Sequence, residues 1–166
     1  MRREWFPVSV AVAALAAGSV PLASASTPVS LRGARSKTHI EIRERGSMTT
    51  FMGTFVLELN YLNVFDRGTT QLGPVAGHTP NNVSGQEQRP IHGTDRFTGK
   101  KGTLSIKWRS VEIEIDRTSP IEVTIQYGTW QVTSATGAYK NWKGGGRFAA
   151  VLAKQFQGVW DGYVTR

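Results

Sequence analysis

The sequence predicts an all-β protein: one eight-stranded antiparallel β-barrel preceded by a cleavable signal peptide. Three observations predict it. Apolar and polar residues alternate with a period of two through most of residues 38–166, turn-forming Gly, Pro and Asn punctuate that alternation, and no amphipathic helix of about ten residues or more interrupts it. Repeated short, half-buried strands make an antiparallel sandwich or barrel. Large apolar inward side chains suit eight strands, whose interior is either filled or holds one small ligand.

The first segment is read as an export signal. Arg2 and Arg3 form a positive start, residues 8–20 are small and apolar, Pro21 breaks the run, and Ala23-Ser24-Ala25 is a small-x-small cleavage site. The apolar run is shorter than the roughly 20 residues of a spanning helix. Arg2 and Arg3, followed by Glu4, Trp5 and Phe6, also resemble a twin-arginine signal, so export by the Sec or the twin-arginine route is expected, to a secreted, extracellular location. The expected organisation is signal peptide 1–25, flexible lead-in 26–37 and barrel 38–166, with no transmembrane segment after processing.

Removing residues 1–25 leaves 141 of 166 residues, one domain by length, and takes away two Arg and one Glu, so the formal charge falls from +8 to +7. Such a charge attracts anionic envelope polymers or serves solubility alone. The absence of Cys excludes disulfides, a lipid-anchored cysteine, thiolate metal sites and cysteine nucleophiles. The domain must be held by its core, which a chain of this length is able to supply.

Along the chain, Ile40 and Ile42 alternate with His39, Glu41 and Arg43. Phe55, Leu57, Leu59 and Tyr61 alternate with Val56, Glu58 and Asn60. Residues 67–96, rich in Gly, Pro, Asn, Gln and Thr, read either as a lid or binding loop, or as an insertion hiding a strand near 71–76. Leu104, Ile106 and Trp108 follow. Ile113 and Ile115 then face inward, which would put Glu112 and Glu114 on a solvated outer face. Ile121, Val123, Ile125 and Tyr127 share one parity and Trp130 and Val132 the other, so Gly128 marks a bulge or barrel corner. Phe148, Ala150 and Leu152 form the next strand and residues 159–164 the last.

Parity picks the candidate site. Tyr61, Trp108, Tyr127 and Trp130 are expected to line the lumen as ligand-binding residues, and Glu58 or Asp161 to act as acid or base. His39, His78 and His92 lack metal-ligand spacing, so neither metal nor cofactor is expected. Ser84 lies in Val83-Ser84-Gly85, not in a nucleophile elbow, and no Lys-Ser/Thr follows Gly144-Gly145-Gly146 as a phosphate loop requires. Basic residues flank Trp108 and Trp142 in the manner of single-strand binders, but export argues against a nucleic-acid partner.

The most specific stretch is Gly128-Thr129-Trp130-Gln131-Val132 running into Ala135-Thr136-Gly137-Ala138-Tyr139 and then Gly144 to Gly146. Tyr139 and Trp142, three apart, would share one face of a helical turn over a barrel end. With Phe97-Thr98-Gly99 leading into Gly102-Thr103-Leu104, and Gly53-Thr54-Phe55 earlier, this stretch resembles the allene oxide cyclase and dirigent barrels, in particular their bacterial secreted relatives. Ala135 stands where the family has Gly, and none of the family's catalytic residues has a counterpart that can be placed here. The resemblance implies a calycin-like barrel that binds an apolar small molecule or biosynthetic intermediate and guides its cyclisation or isomerisation without a cofactor. The alternatives are a non-catalytic extracellular binding protein for a lipid, phenolic or envelope ligand, and a structural domain with a filled core. Whether it is an enzyme stays open, and a homo-oligomer is compatible with every reading.

Overall fold

Alternating strands have one apolar face, and closing the sheet on itself removes that face from water together with the sheet edges. In a computed structural model, residues 36–61, 63–77, 81–83, 86–116 and 123–166 are described. The expected signal peptide, most of the lead-in, His78 and Ser84 lie outside them. The strands are β1 (Thr38–Ser47), β2 (Met52–Leu59), β3 (Asn63–Gly77), β4 (Asn81–Val83), β5 (Gln86–Gly99), β6 (Gly102–Asp116), β7 (Val123–Ala135), β8 (Lys143–Leu152) and β9 (Gln155–Thr165), with a 3-10 turn at Gly137–Tyr139. They hydrogen-bond in the order β3-β2-β1-β9-β8-β7-β6-β5-β4, and a β3–β5 pairing closes the ring. Eight strands thus form a closed antiparallel barrel, and β4 is a short addition to β5.

Residues 67–96 are mostly wall, not loop. β3 pairs with β5 from Gly68↔Gly99 to Gly77↔Ile91, with a register shift between Leu72 and Val75. Pro74 sits in that shift, where a missing N–H breaks no ladder bond. The bulge and the small or polar inward residues Thr70, Gly93 and Asp95 erase the apolar alternation that marks the other strands.

The expected parity switch in β7 is also absent. Gly128 pairs in register with Ser110 and with Phe148, while the β6–β7 shifts fall between Ser105 and Ile106 and between Glu114 and Asp116. Thr124, Gln126 and Trp130 all point inward and are buried. Gly128 is required instead because a Cβ there would lie 2.0 Å from the Arg109 carbonyl oxygen. Tyr127 therefore faces outward, and Glu112, opposite Gln126, takes the inward parity expected of Ile113.

The middle of the lumen is filled. Ile42, Leu57, Leu104 and Ile106 are completely buried around a ring cluster. Phe148 stacks on Trp160 at 4.2 Å, and Phe97 meets the same indole edge-on at 6.1 Å. One end is plugged by the 3-10 turn, where Tyr139 and Trp142 are buried and meet edge to face at 5.0 Å. Beneath the plug the Tyr139 hydroxyl donates to Asp66 Oδ2 at 2.6 Å, joined there by the Lys101 amide at 3.0 Å, while the Arg67 amide donates to Oδ1 at 2.8 Å. Burial works to raise the Asp66 pKa, but these donors outweigh it and hold the carboxyl below its usual range.

Candidate functional site

The opposite end of the barrel carries two inward carboxylates of another kind. Glu44 continues the inward series Ile40, Ile42 on β1, and Asp95 stands two residues before inward Phe97 on β5; they are 6% and 4% exposed. Glu44 Oε1 accepts from the Trp160 indole N–H at 2.8 Å and Oε2 accepts from the Thr70 hydroxyl at 2.9 Å. Space for this carboxyl comes from Gly158, whose added Cβ would stand 3.0 Å from Glu44 Oε1. Asp95 Oδ1 accepts a long 3.4 Å bond from the Gly73 amide. Trp108 Nε1 draws the Asp95 pKa down but makes no hydrogen bond of standard geometry among the described residues.

Burial dominates both acids. It pushes Glu44 up to about 7, helped by the negative charge of Asp95 and opposed by the Thr70 and Trp160 donors. It pushes Asp95 up to about 6 against the Trp108 and Gly73 N–H groups. Among the described residues neither acid has a cationic partner within ion-pair distance. Both carboxyls therefore titrate closer to neutral pH than ordinary carboxyls do, Glu44 more so than Asp95, a range in which such groups exchange protons with a ligand.

Between them lies a cavity of about 60 Å³ walled by Trp108, Phe148, Phe156 and Trp160. Met48, Phe51, Leu72 and Val75 roof it. Phe51, at the β1–β2 turn, adopts φ 54°, a left-handed conformation rare for a bulky residue, and its carbonyl accepts from the Leu72 amide at 2.9 Å. Half of Phe51 is exposed, so the roof is a thin cover and not part of the core. At the rim Gln126 lines the cavity and donates to Glu112 at 2.9 Å, and Glu112 pairs with Arg89. This polar chain runs from the exposed Arg89 to the cavity wall.

Comparison with protein-family models, curated proteins and solved structures finds no match.

Of the residues picked by parity, Trp108 lines the cavity. Trp130 is buried elsewhere, its indole N–H donating to the carbonyls of Arg147 and Asp161 at 3.0 and 3.2 Å. Tyr127 stands on the outer face because β7 keeps a single parity. Tyr61 belongs to the β2–β3 turn, with φ 62°, and stacks at 3.7 Å on His39 on the outer face. Neither carboxylate expected as acid or base reaches the lumen. Glu58 lies outside, 3.7 Å from Arg43, and Asp161 lies outside, 2.7 Å from His39 Nε2. Parity explains both, since each alternates with inward apolar neighbours. The same rule would have found the acids that were missed: Glu44 shares the parity of Ile40 and Ile42, and Asp95 that of Phe97.

Proposed function

We propose that this barrel binds an apolar small molecule bearing one polar oxygen and guides its isomerisation or cyclisation without a cofactor, outside the cytoplasm. The observation that carries the reading is the placement of Glu44 and Asp95, unpaired with any described cation, in an apolar cavity under a thin roof. Protonated Glu44 would donate to the ligand oxygen, Asp95 would take a proton from an adjacent carbon or hydroxyl, and the aromatic walls would exclude water and fix the ligand's shape. The resemblance of residues 128–146 to allene oxide cyclase and dirigent barrels supports the same reading.

The cavity volume limits it. About 60 Å³ is well below the roughly 300 Å³ of an ordinary ligand pocket. Only the polar end of a ligand fits below the roof, and its body must lie against Phe51, Leu72 and Val75 or displace the 48–51 turn. That small volume favours a second reading, a non-catalytic carrier that grips a ligand by one end.

Solvent extraction and mass spectrometry of the protein purified from its native culture test both. An oxygenated apolar metabolite that returns rearranged after incubation supports catalysis, and one that returns unchanged supports the carrier. Failure to recover any, together with unmoved tryptophan fluorescence across a panel of apolar ketones and phenols, refutes both.

A further inference from the structure

A concavity far larger than the barrel-end cavity lies on the outside of the wall. It measures about 930 Å³, within the range of small-molecule sites. Its floor is set by register. Arg67, Val56, Arg43 and Val159 stand side by side across β3, β2, β1 and β9. One row on, Arg45, Gln157, Val151 and Ile125 cross β1, β9, β8 and β7. All are on the outward parity. The floor is therefore basic at one side and apolar at the other, and Val151 and Val159, 47% and 43% exposed, leave that apolar side open to solvent.

The charges are not equivalent. Arg43 is held by Glu41 and Glu58. Arg45 and Arg67 have no acidic partner among the described residues, although both line the concavity. Two uncompensated guanidiniums match a carboxylate in geometry and charge. From β1 to β7 is three strand spacings, about 14 Å, a length that a hydrocarbon chain lying across the strands would cover.

We propose that this outer face binds a monomeric long-chain carboxylate, its head group between Arg45 and Arg67 and its tail over Val159, Val151 and Ile125. Glu44, between Arg43 and Arg45 on β1, also borders this concavity, but its carboxyl is turned inward to Thr70 and Trp160, and Asp95 does not line it. Charge complementarity selects this occupant. A neutral chain would leave both guanidiniums unanswered, and a cationic one would be repelled.

Calorimetric titration of the full chain with dodecanoate, kept below its aggregation concentration, tests the proposal, with dodecanol and dodecyltrimethylammonium as controls. The expected result is saturable binding of dodecanoate, at least tenfold tighter than dodecanol and weakening with salt. The double variant R45Q/R67Q and the variant V151E should each lose at least tenfold in affinity while keeping the unfolding midpoint, since all three positions are exposed or on the outer surface. D95N should bind dodecanoate as the wild type does, which separates this site from the barrel end. Equal affinity for dodecanol, unchanged affinity in R45Q/R67Q, or loss in D95N overturns it. So does light scattering that shows V151E dissociating an oligomer, because the face would then be covered by a second copy. Association with anionic vesicles without binding of free dodecanoate also overturns it.

Discussion

Replacing Glu44 with Gln should make the protein more stable at pH 8 and leave it nearly unchanged at pH 4.5. The wild-type carboxyl is pushed from 4.5 up to about 7, so its proton is held more tightly folded than unfolded. A raised carboxyl contributes stability that is fully present below pH 4.5 and is lost as pH rises through about 7. At about 1.4 kcal/mol for each pH unit, the loss over that window is about 3 kcal/mol. Gln keeps an oxygen for the Trp160 N–H and an amide for the Thr70 hydroxyl, which is free to turn and accept. The variant has no charge to bury, so at pH 8 it should exceed the wild type by up to about 3 kcal/mol, on the order of 10 °C in midpoint for a domain of this size. Urea unfolding of both proteins at half-unit steps from pH 4 to 8 measures this directly. Asp95, raised from 3.8 to about 6, tilts both curves the same way at lower pH and persists in the variant. If the two curves run parallel between pH 4.5 and 7, the assigned burial of a Glu44 charge is wrong.

Tyr139→Phe removes the 2.6 Å donor to Asp66 and should cost about 1.5–3 kcal/mol at pH 7. Asp66 is a lowered carboxyl, whose stability is present above 3.8 and lost below, so the penalty should shrink on acidification past that value; urea unfolding at pH 7 and pH 3 reads both. Phe51→Gly relieves the left-handed backbone and removes the exposed roof ring, so stability should stay within about 1 kcal/mol while acrylamide quenching of the tryptophans beneath it increases. Gly158→Ala places a methyl 3.0 Å from Glu44 Oε1 and should destabilise by about 1–3 kcal/mol; the loss should be clearly smaller in an E44A background, where the crowded side chain is gone, and equal unfolding free-energy losses in both backgrounds would refute this.

The barrel was legible in the sequence because its central layers obey one rule. Ile40 and Ile42, Phe55 and Leu57, and Leu104 and Ile106 alternate as a half-buried wall must, and each pair is inward. Legibility fails where the rule inverts. At the open end the inward positions are Glu44, Thr70, Asp95, Ser110, Thr124 and Gln126, and the outward ones include Ile115, Ile125, Tyr127, Val151 and Val159. Reading apolar as inward there assigns the wrong face, which is how Tyr127 was placed in the lumen and Glu112 on the surface. The remedy is local. Parity carried forward from an unambiguous layer, from Trp108 through Ser110 to Glu112 or from Ile42 to Glu44, gives the right side without regard to polarity.

The contrast between the two ends separates a structural carboxylate from one that the fold does not need. Asp66 sits under the plug with three donors on its oxygens, and its charge is lowered in cost by them until ionisation favours folding. Glu44 and Asp95 are more strongly desolvated and have fewer or longer bonds, and each makes the folded state less stable once ionised. An apolar or amide side chain at either position would fill the same space without that penalty. The penalty is confined to the end that lacks a plug, where the cover is one strained, exposed ring and a polar chain reaches in from Arg89. Packing alone gives no reason for two unneutralised acids to meet under such a cover, whereas a ligand oxygen arriving from solvent gives one for each element: a donor, an acceptor, a dry wall and a roof able to move.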